Sequence, residues 1–467
     1  MAVSIISGGS VFANPSAIVT VNGNRYRVTY DQFSFNDSPS RFSTNQMPWW
    51  GSSILADQFA TQIGGRLGTP LLGIYGPAFG YDSPGIVDFA FFNGSVISRA
   101  AAILSAVSPY AVADIFIPTS PYSAQPYADI QSIGVDALKN QRELVLNQAG
   151  SCDQRGWVVY DSEKVKAAYK PKKSQSLCVF AEGGYASGSI NGSDSIGGYS
   201  TSNASSAYGI EWKPSKQWAV GAACGYGTAG LGGFNFQDTS AYINSNINSA
   251  NIYGVYRPNK NWKVAALAGY SNFNYTGSRT FLGDTANSNF SANGYTAALQ
   301  GSYDIILSTD YNNKKNPLNP VLIKPLLGFA WGANQQARFS ETGQGTLLNV
   351  QGQTTNSLMG TVGASVEAPI PLNKSKTTAL TPRFGVAYQC DFLANQDGNK
   401  SIAAALVDDA TTSFTAVGQN RGPNSVYLDL GADLQINPQV VIYVSANYQA
   451  FTNGNQIGYQ GGLRVKF

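Results

Sequence analysis

The last twelve residues of the chain, QIGYQGGLRVKF (Gln456–Phe467), place Tyr459, Gly461, Leu463, Val465 and Phe467 on one side and Gln460, Gly462, Arg464 and Lys466 on the other. A strict period of two marks a strand whose faces meet unlike surroundings. The stretch is also long enough to supply the ~9–11 residues that a tilted strand needs to cross a bilayer. A soluble sheet shows the same alternation, so the weight falls on its recurrence. Trp218, Val220, Ala222, Cys224 and Tyr226 alternate with small residues, and so do Trp262, Val264, Ala266, Ala268 and Tyr270. Pro325, Leu327, Phe329 and Trp331 repeat the pattern, as do Pro382, Phe384, Val386, Tyr388 and Cys390. Val426, Leu428, Leu430 and Leu434 follow, then Val440, Ile442, Val444 and Tyr448.

Charged residues are 12% of the chain, about half the ~25% usual for soluble proteins. Glycine (50 residues) and tyrosine (26) are abundant, and no apolar run reaches the ~18 residues of a transmembrane helix. These features suit a transmembrane β-barrel, whose spans are only half apolar. The competing reading is a soluble all-β repeat protein. A net charge of +3 is too small to point to a nucleic-acid partner. Histidine is absent, which removes Ser-His-Asp triads, Cys-His pairs and imidazole metal sites. No catalytic, cofactor or metal site is expected, and the chain is read as a non-enzyme.

Four cysteines, at 152, 178, 224 and 390, show no metal-ligand spacing. Strand parity turns Cys224 and Cys390 toward lipid. Cys152 and Cys178 flank one short segment and are either a disulfide formed in an oxidising compartment or two free thiols.

Residues 2–13, AVSIISGGSVFA, resemble the apolar part of an export signal ending in Val11-x-Ala13, without its basic start; residues 1–13 are either a remnant of one or the first strand of the mature protein, and the remnant is the reading preferred. Residues 14–125 form a separate small α+β domain, passenger-like in position. Between about 14 and 125 the sequence has no Lys and no Glu, and is dense in aromatic residues. A hairpin is expected around Asn22-Gly23-Asn24, and a short helix where Leu55, Phe59 and Ile63 recur. The Trp49-Trp50 pair is either core or a recognition surface. Pro109 to Ser123 reads as a linker. Residues 126–150 then carry a helix in which Ile130, Ile133, Ala137, Leu138, Val145 and Leu146 make a stripe interrupted by Lys139, Arg142 and Glu143, with Gly150 placed to end it. Such a helix is too polar for lipid. It is either a pore helix inside a polar lumen or an ordinary surface helix.

Residues 151–467 are read as the barrel. Alternating segments from Ser176 onward number about twelve, an even count as single-chain bacterial barrels require. Many apolar rows begin or end in Trp, Tyr or Phe, where interfacial girdles belong. Short turns such as Arg257–Asn261 and Ile436–Gln439 are assigned to the periplasmic side, and longer polar stretches such as Gly188–Ala204 and Gly343–Asn356 to the outside. The expected lumen wall carries Glu182, Glu211, Lys263, Lys324, Arg383, Asp429, Asp433, Arg464 and Lys466. Mixed charge suits a lumen filled by a polar helix better than an ion-selective channel.

The helix with LKNQRELVLNQ, then RGW (Arg155–Trp157), GIEWKP (Gly209–Pro214) with QWAVGAACGY, FTAVGQNRGPNSVYLDLGADL (Phe414–Leu434) and the C-terminal GLRVKF together resemble an autotransporter β-barrel translocator domain. The resemblance spans about the last 340 residues. It implies a mainly β protein of type V secretion: an antiparallel outer-membrane barrel of about 12 strands, a helix through its pore, and an N-terminal passenger outside. By the same resemblance Tyr459, Gly461, Leu463, Val465 and Phe467 are the signal read by the barrel-assembly machinery. The implied partners are outer-membrane lipid and that machinery, around a monomeric barrel. Two features depart from the family: the segment before the helix is short and lacks repeats, and a Lys-rich stretch, Lys164–Lys173, intervenes before the first clear strand. The alternatives are a porin-like diffusion channel with a periplasmic or lumenal N-terminal domain, an adhesin, and a hydrolase passenger, the last limited to an Asp-pair site.

Overall fold

The computed structural model describes residues 16–22, 24–44, 46–82, 85–115, 121–151, 177–259, 261–281, 283–307, 321–343, 346–373, 378–407 and 413–467. Residues 1–13, Cys152, the RGW motif and Lys164–Lys173 lie outside the described residues. Contacts divide the chain into Met1–Ser120 and Pro121–Phe467.

In the first unit, β1 (Ala17–Val21) and β2 (Asn24–Phe33) form the expected hairpin, turning at Asn22 with φ 51°; asparagine tolerates that left-handed conformation. Helix α1 (Ser53–Ile63) starts where the Ser52 side chain accepts the Leu55 N–H at 3.3 Å and stops at Gly64, φ 52°. Phe59 and Ile63 are buried and Leu55 packs against them. Trp49 is a core residue, its ring 4.6 Å from Phe59 and 5.1 Å from Phe79, while Trp50 is half-buried against Phe42. A second sheet joins β3 (Phe79–Asp82), β4 (Ile86–Phe92) and β5 (Ile97–Ile103). The linker expected from Pro109 is corrected over its first half. Ser108–Ile115 is a strand, β6, paired with β2. Pro109 misleads there because proline is tolerated on an edge strand, and β6 is the edge of its sheet, with Tyr110, Ala111 and Ala113 buried.

Among the described residues of the second unit, one α-helix, α2 (Gln125–Gln148), precedes twelve long antiparallel strands. These are Leu177–Ile190, Tyr199–Trp212, Trp218–Phe236, Thr239–Tyr256, Trp262–Phe281, Asp284–Tyr303, Leu322–Gln336, Gln353–Glu367, Ala379–Asp391, Asn424–Asn437, Val440–Phe451 and Gly454–Lys466. The last strand pairs with the first, from Gly454 opposite Ile190 to Lys466 opposite Cys178, so the sheet is a closed barrel without edges. The outward rows are the apolar ones read in the sequence: Val220, Leu327, Phe384, Leu430 and Val444 are all exposed. Three rows start and end in aromatic residues eight positions apart: Trp218–Tyr226, Trp262–Tyr270 and Tyr295–Tyr303. Eight residues span about 27 Å along a strand. Tilted by ~35–45°, they cover roughly 20 Å, close to the ~25 Å apolar band of such barrels.

The strands flanking these rows run well past the band. The third to sixth are 18 to 20 residues long, about twice what crossing requires. This corrects the expected long connection at Gly188–Ala204. Gly188–Ala204 is mostly strand, joined through 191–198, and at that same end the connections 237–238 and 452–453 are two-residue turns. A long connection, 304–321, lies at the end that carries Phe467. Polar residues read as loop are strand because only one face is polar. The opposite face carries Leu231, Phe234, Ile243, Ile247, Phe273, Tyr275 and Phe290, all buried in one cluster. A small four-stranded sheet (Phe339–Ser340, Leu348–Val350, Ser401–Leu406, Ser413–Val417) supplies Phe339, Leu348, Val350, Ile402 and Leu406 to that cluster, sealing the barrel end opposite Phe467.

Candidate functional site

α2 has 24 residues, about 36 Å at 1.5 Å per residue. Most of it is buried, including Gln125, Asp129, Gln131, Lys139, Gln141, Arg142 and Gln148, while Ser132, Asp136, Asn140, Glu143 and Asn147 make one less buried polar stripe. Buried polar groups need partners, and the wall provides them all round. At the sealed end, Gln125 Nε2 donates to the Gly197 carbonyl at 2.8 Å, the Gln419 N–H to Asp129 Oδ1 at 2.6 Å, and the Tyr127 hydroxyl to Glu341 Oε1 at 2.5 Å. Midway, Asp136 pairs with Arg421 at 2.7 Å, Lys139 Nζ donates to Gln449 at 2.8 Å, and Arg142 Nη1 to the Thr296 hydroxyl at 3.1 Å. At the other end, Gln148 Nε2 donates to Glu182 at 2.6 Å, Arg464 Nε to Gln148 Oε1 at 3.0 Å, and the Gly150 N–H to Glu211 at 2.7 Å.

The apolar stripe packs as well: Ile130, Ile133, Ala137 and Leu138 join the sealed-end cluster, and Leu144 and Val145 join Phe180, Tyr253 and Leu267. Glycines bring wall and helix together. A Cβ on Gly294 would stand 2.6 Å from Leu138 Cδ2, one on Gly227 2.8 Å from Gln141 Nε2, and one on the helix's own Gly134 2.7 Å from the Tyr275 hydroxyl. Beside the helix, cavities of about 50 Å³ near Asn140 and Glu143 and about 30 Å³ near Gln148 and Arg383 remain. These have room for water and little else.

Of the residues singled out in the sequence, Lys139 and Arg142 are buried on α2, and Glu143 lies 3.8 Å from Lys139 with a third of its side chain exposed. Glu182, Glu211 and Arg464 meet the helix directly. Arg383 instead holds two wall carboxylates, Asp429 at 3.3 Å and Asp433 at 3.6 Å, while Lys324 pairs with Glu367 at 2.6 Å. Lys263 and Lys466 are half-exposed at the end that carries Phe467. Tyr459, Leu463 and Phe467 are exposed on the outward row, with Gly461 and Val465 intermediate. Cys178 is disulfide-bonded, and Cys224 and Cys390 are free.

Sequence reasoning missed the sealed end. There Arg279, on the fifth strand, grips Glu341 through Nε (2.8 Å) and Nη2 (2.5 Å), and both side chains are buried. Glu341 also accepts the Leu348 N–H at 2.8 Å and the Tyr127 hydroxyl. One carboxylate thereby ties strand, cap and helix. Its signal was faint: a lone Arg and a lone Glu in polar stretches, 62 residues apart.

A family model described as the autotransporter β-domain matches residues 179–447, more than half of the chain. No curated protein matches it. Among solved structures, the translocator domain of NalP from Neisseria meningitidis is similar at 14% identity and TM-score 0.49, covering 72% of this chain and 99% of that one. The transport unit of AIDA-I from Escherichia coli is similar at 16% identity and TM-score 0.46, covering 72% and 99%. The β-domain of the Bordetella autotransporter BrkA follows at 11% identity and TM-score 0.44, covering 62% and 100%. A closed twelve-stranded barrel with a helix threaded through it, matched over most of its strands by that family model, belongs to the autotransporter β-domain family.

Proposed function

We propose that this outer-membrane barrel anchors its N-terminal segment and displays it at the cell surface, having translocated it, and carries out no catalysis itself. One observation carries the reading: the direction of α2. Its first residues bind the sealed end through Gly197, Gln419 and Glu341, and its last residues bind Glu182, Glu211 and Arg464 near the C-terminus. A chain entering α2 therefore does so from the end opposite Phe467. With the C-terminus on the periplasmic side, everything upstream of Pro121 is delivered outward. Insertion is driven by burying the outward apolar rows in lipid, while sheet closure satisfies the backbone hydrogen bonds. The assembly machinery reads the outward row that ends in Phe467, and the barrel acts as a monomer.

The test is protease shaving of intact cells with an epitope tag near residue 40. Loss of the tag while the barrel survives is expected; protection until the outer membrane is permeabilised would overturn the reading. A porin-like channel is disfavoured by the filled lumen. The intact chain should show no steady conductance in planar bilayers, and deletion of residues 125–148 should open a pore.

A further inference from the structure

Above the tyrosine row formed by Tyr226, Tyr270 and Tyr295, the outward face of the third to sixth strands changes from apolar to polar, rich in carboxamides on the fourth to sixth. Across strands, Asn248 stands opposite Asn272 and Asn272 opposite Asn293; one step further, Asn246 stands opposite Asn274. Asn246, Asn248, Asn274 and Asn289 are exposed. Neighbouring strands lie ~4.8 Å apart and successive outward residues ~6.7 Å apart, so the side chains form a flat grid. Two tyrosines of the row reach up into it: the Tyr226 hydroxyl donates to Asn246 Oδ1 at 3.1 Å and Tyr270 to Asn293 Oδ1 at 2.7 Å. The outward rows of these four strands, from the lower aromatic residues to the upper hairpins, contain no Lys, Arg, Asp or Glu.

The grid continues the lipid-facing rows without a break, so it stands in the headgroup layer of the adjoining leaflet. Phosphate headgroups are recognised by cations, and this surface has none. Each carboxamide offers donors and an acceptor in one plane, which suits hydroxyls that donate and accept in turn. We infer that this asparagine grid binds the uncharged saccharide headgroups of glycolipids in the leaflet at the sealed end of the barrel. The inference rests on the membrane placement proposed above.

The purified full chain is reconstituted into vesicles of phosphatidylcholine alone and of an equimolar mixture with digalactosyl diacylglycerol, and the temperature at which heat-modifiable gel mobility is lost is compared. The mixed vesicles are expected to raise the transition. Asn246→Ala/Asn248→Ala/Asn272→Ala/Asn274→Ala is expected to erase that difference while keeping the phosphatidylcholine value, and Ser200→Ala/Ser202→Ala on a neighbouring strand to retain it. If the fourfold variant does not fold, the facing pair Asn246→Ala/Asn274→Ala is expected to reduce the difference. Equal transitions for the natural chain, or an undiminished difference in the asparagine variants, would overturn the proposal. A matching shift from free digalactose would overturn it too, by assigning the surface to soluble sugar. Failure to insert into either vesicle would refute the membrane placement itself, a distinct outcome that takes the proposal down with it.

Discussion

Glu341→Ala tests how the helix is held. In the native protein the carboxylate accepts from Arg279 Nε and Nη2, the Tyr127 hydroxyl and the Leu348 N–H, at 2.5 to 2.8 Å. Its removal leaves Arg279, only 1% exposed, charged and with the Thr346 carbonyl at 2.8 Å as the bond that remains from this set. Breaking a buried pair from one side costs ~3–5 kcal/mol. The stranded hydroxyl and amide add to that, at ~1–3 kcal/mol for each donor left fully unsatisfied. An apolar pair of similar size avoids the stranded charge, and such replacements are often neutral or better. Arg279→Met/Glu341→Leu should therefore be more stable than Glu341→Ala alone, although it changes two residues instead of one. Tyr127→Phe removes one hydrogen bond to a charged acceptor and should cost ~1.5–3 kcal/mol. Urea unfolding of the purified barrel in detergent, followed by heat-modifiable mobility, measures all three. The reasoning fails if Glu341→Ala unfolds at the native midpoint, or if the double variant is no more stable than the single one.

Gly294→Ala should destabilise the helix-filled barrel by ~1–3 kcal/mol through overpacking, since its Cβ would press on Leu138; Leu138→Ala in that background should recover part of the loss in the same urea assay. Trp49→Ala should cost the first unit ~3–5 kcal/mol, seen as new protease sensitivity within residues 16–115 while the barrel stays resistant. Phe467→Ala should slow assembly in cells, measured by pulse-chase of the folded band. Because Phe467 is 58% exposed, the refolded barrel should keep its stability to within ~0.5 kcal/mol.

The barrel was legible because its two solvents differ. Lipid on one side and a polar, helix-filled lumen on the other force a period of two on every crossing segment, and interfacial aromatic residues mark its ends. Residues such as Val220, Phe384 and Leu430 therefore declare their side from parity alone. α1 was readable from local pattern as well. The reading failed where a local cue had a second cause. Pro109 looked like a linker and sits on an edge strand. Gly188–Ala204 looked like a loop, because past the membrane the outward solvent becomes water and the apolar contrast disappears from that face.

By itself the sequence determined which residues cross the membrane, which way each side chain on those strands points, and that no imidazole chemistry is available. These are one-dimensional properties, set by alternation and composition. The tertiary structure decided what fills the barrel and in which direction. α2 buries polar and apolar residues together, and its orientation depends on pairs such as Asp136–Arg421 and Gln148–Arg464, whose members lie hundreds of residues apart. Only closure of the sheet brings those partners onto one wall, around the helix that fills the lumen.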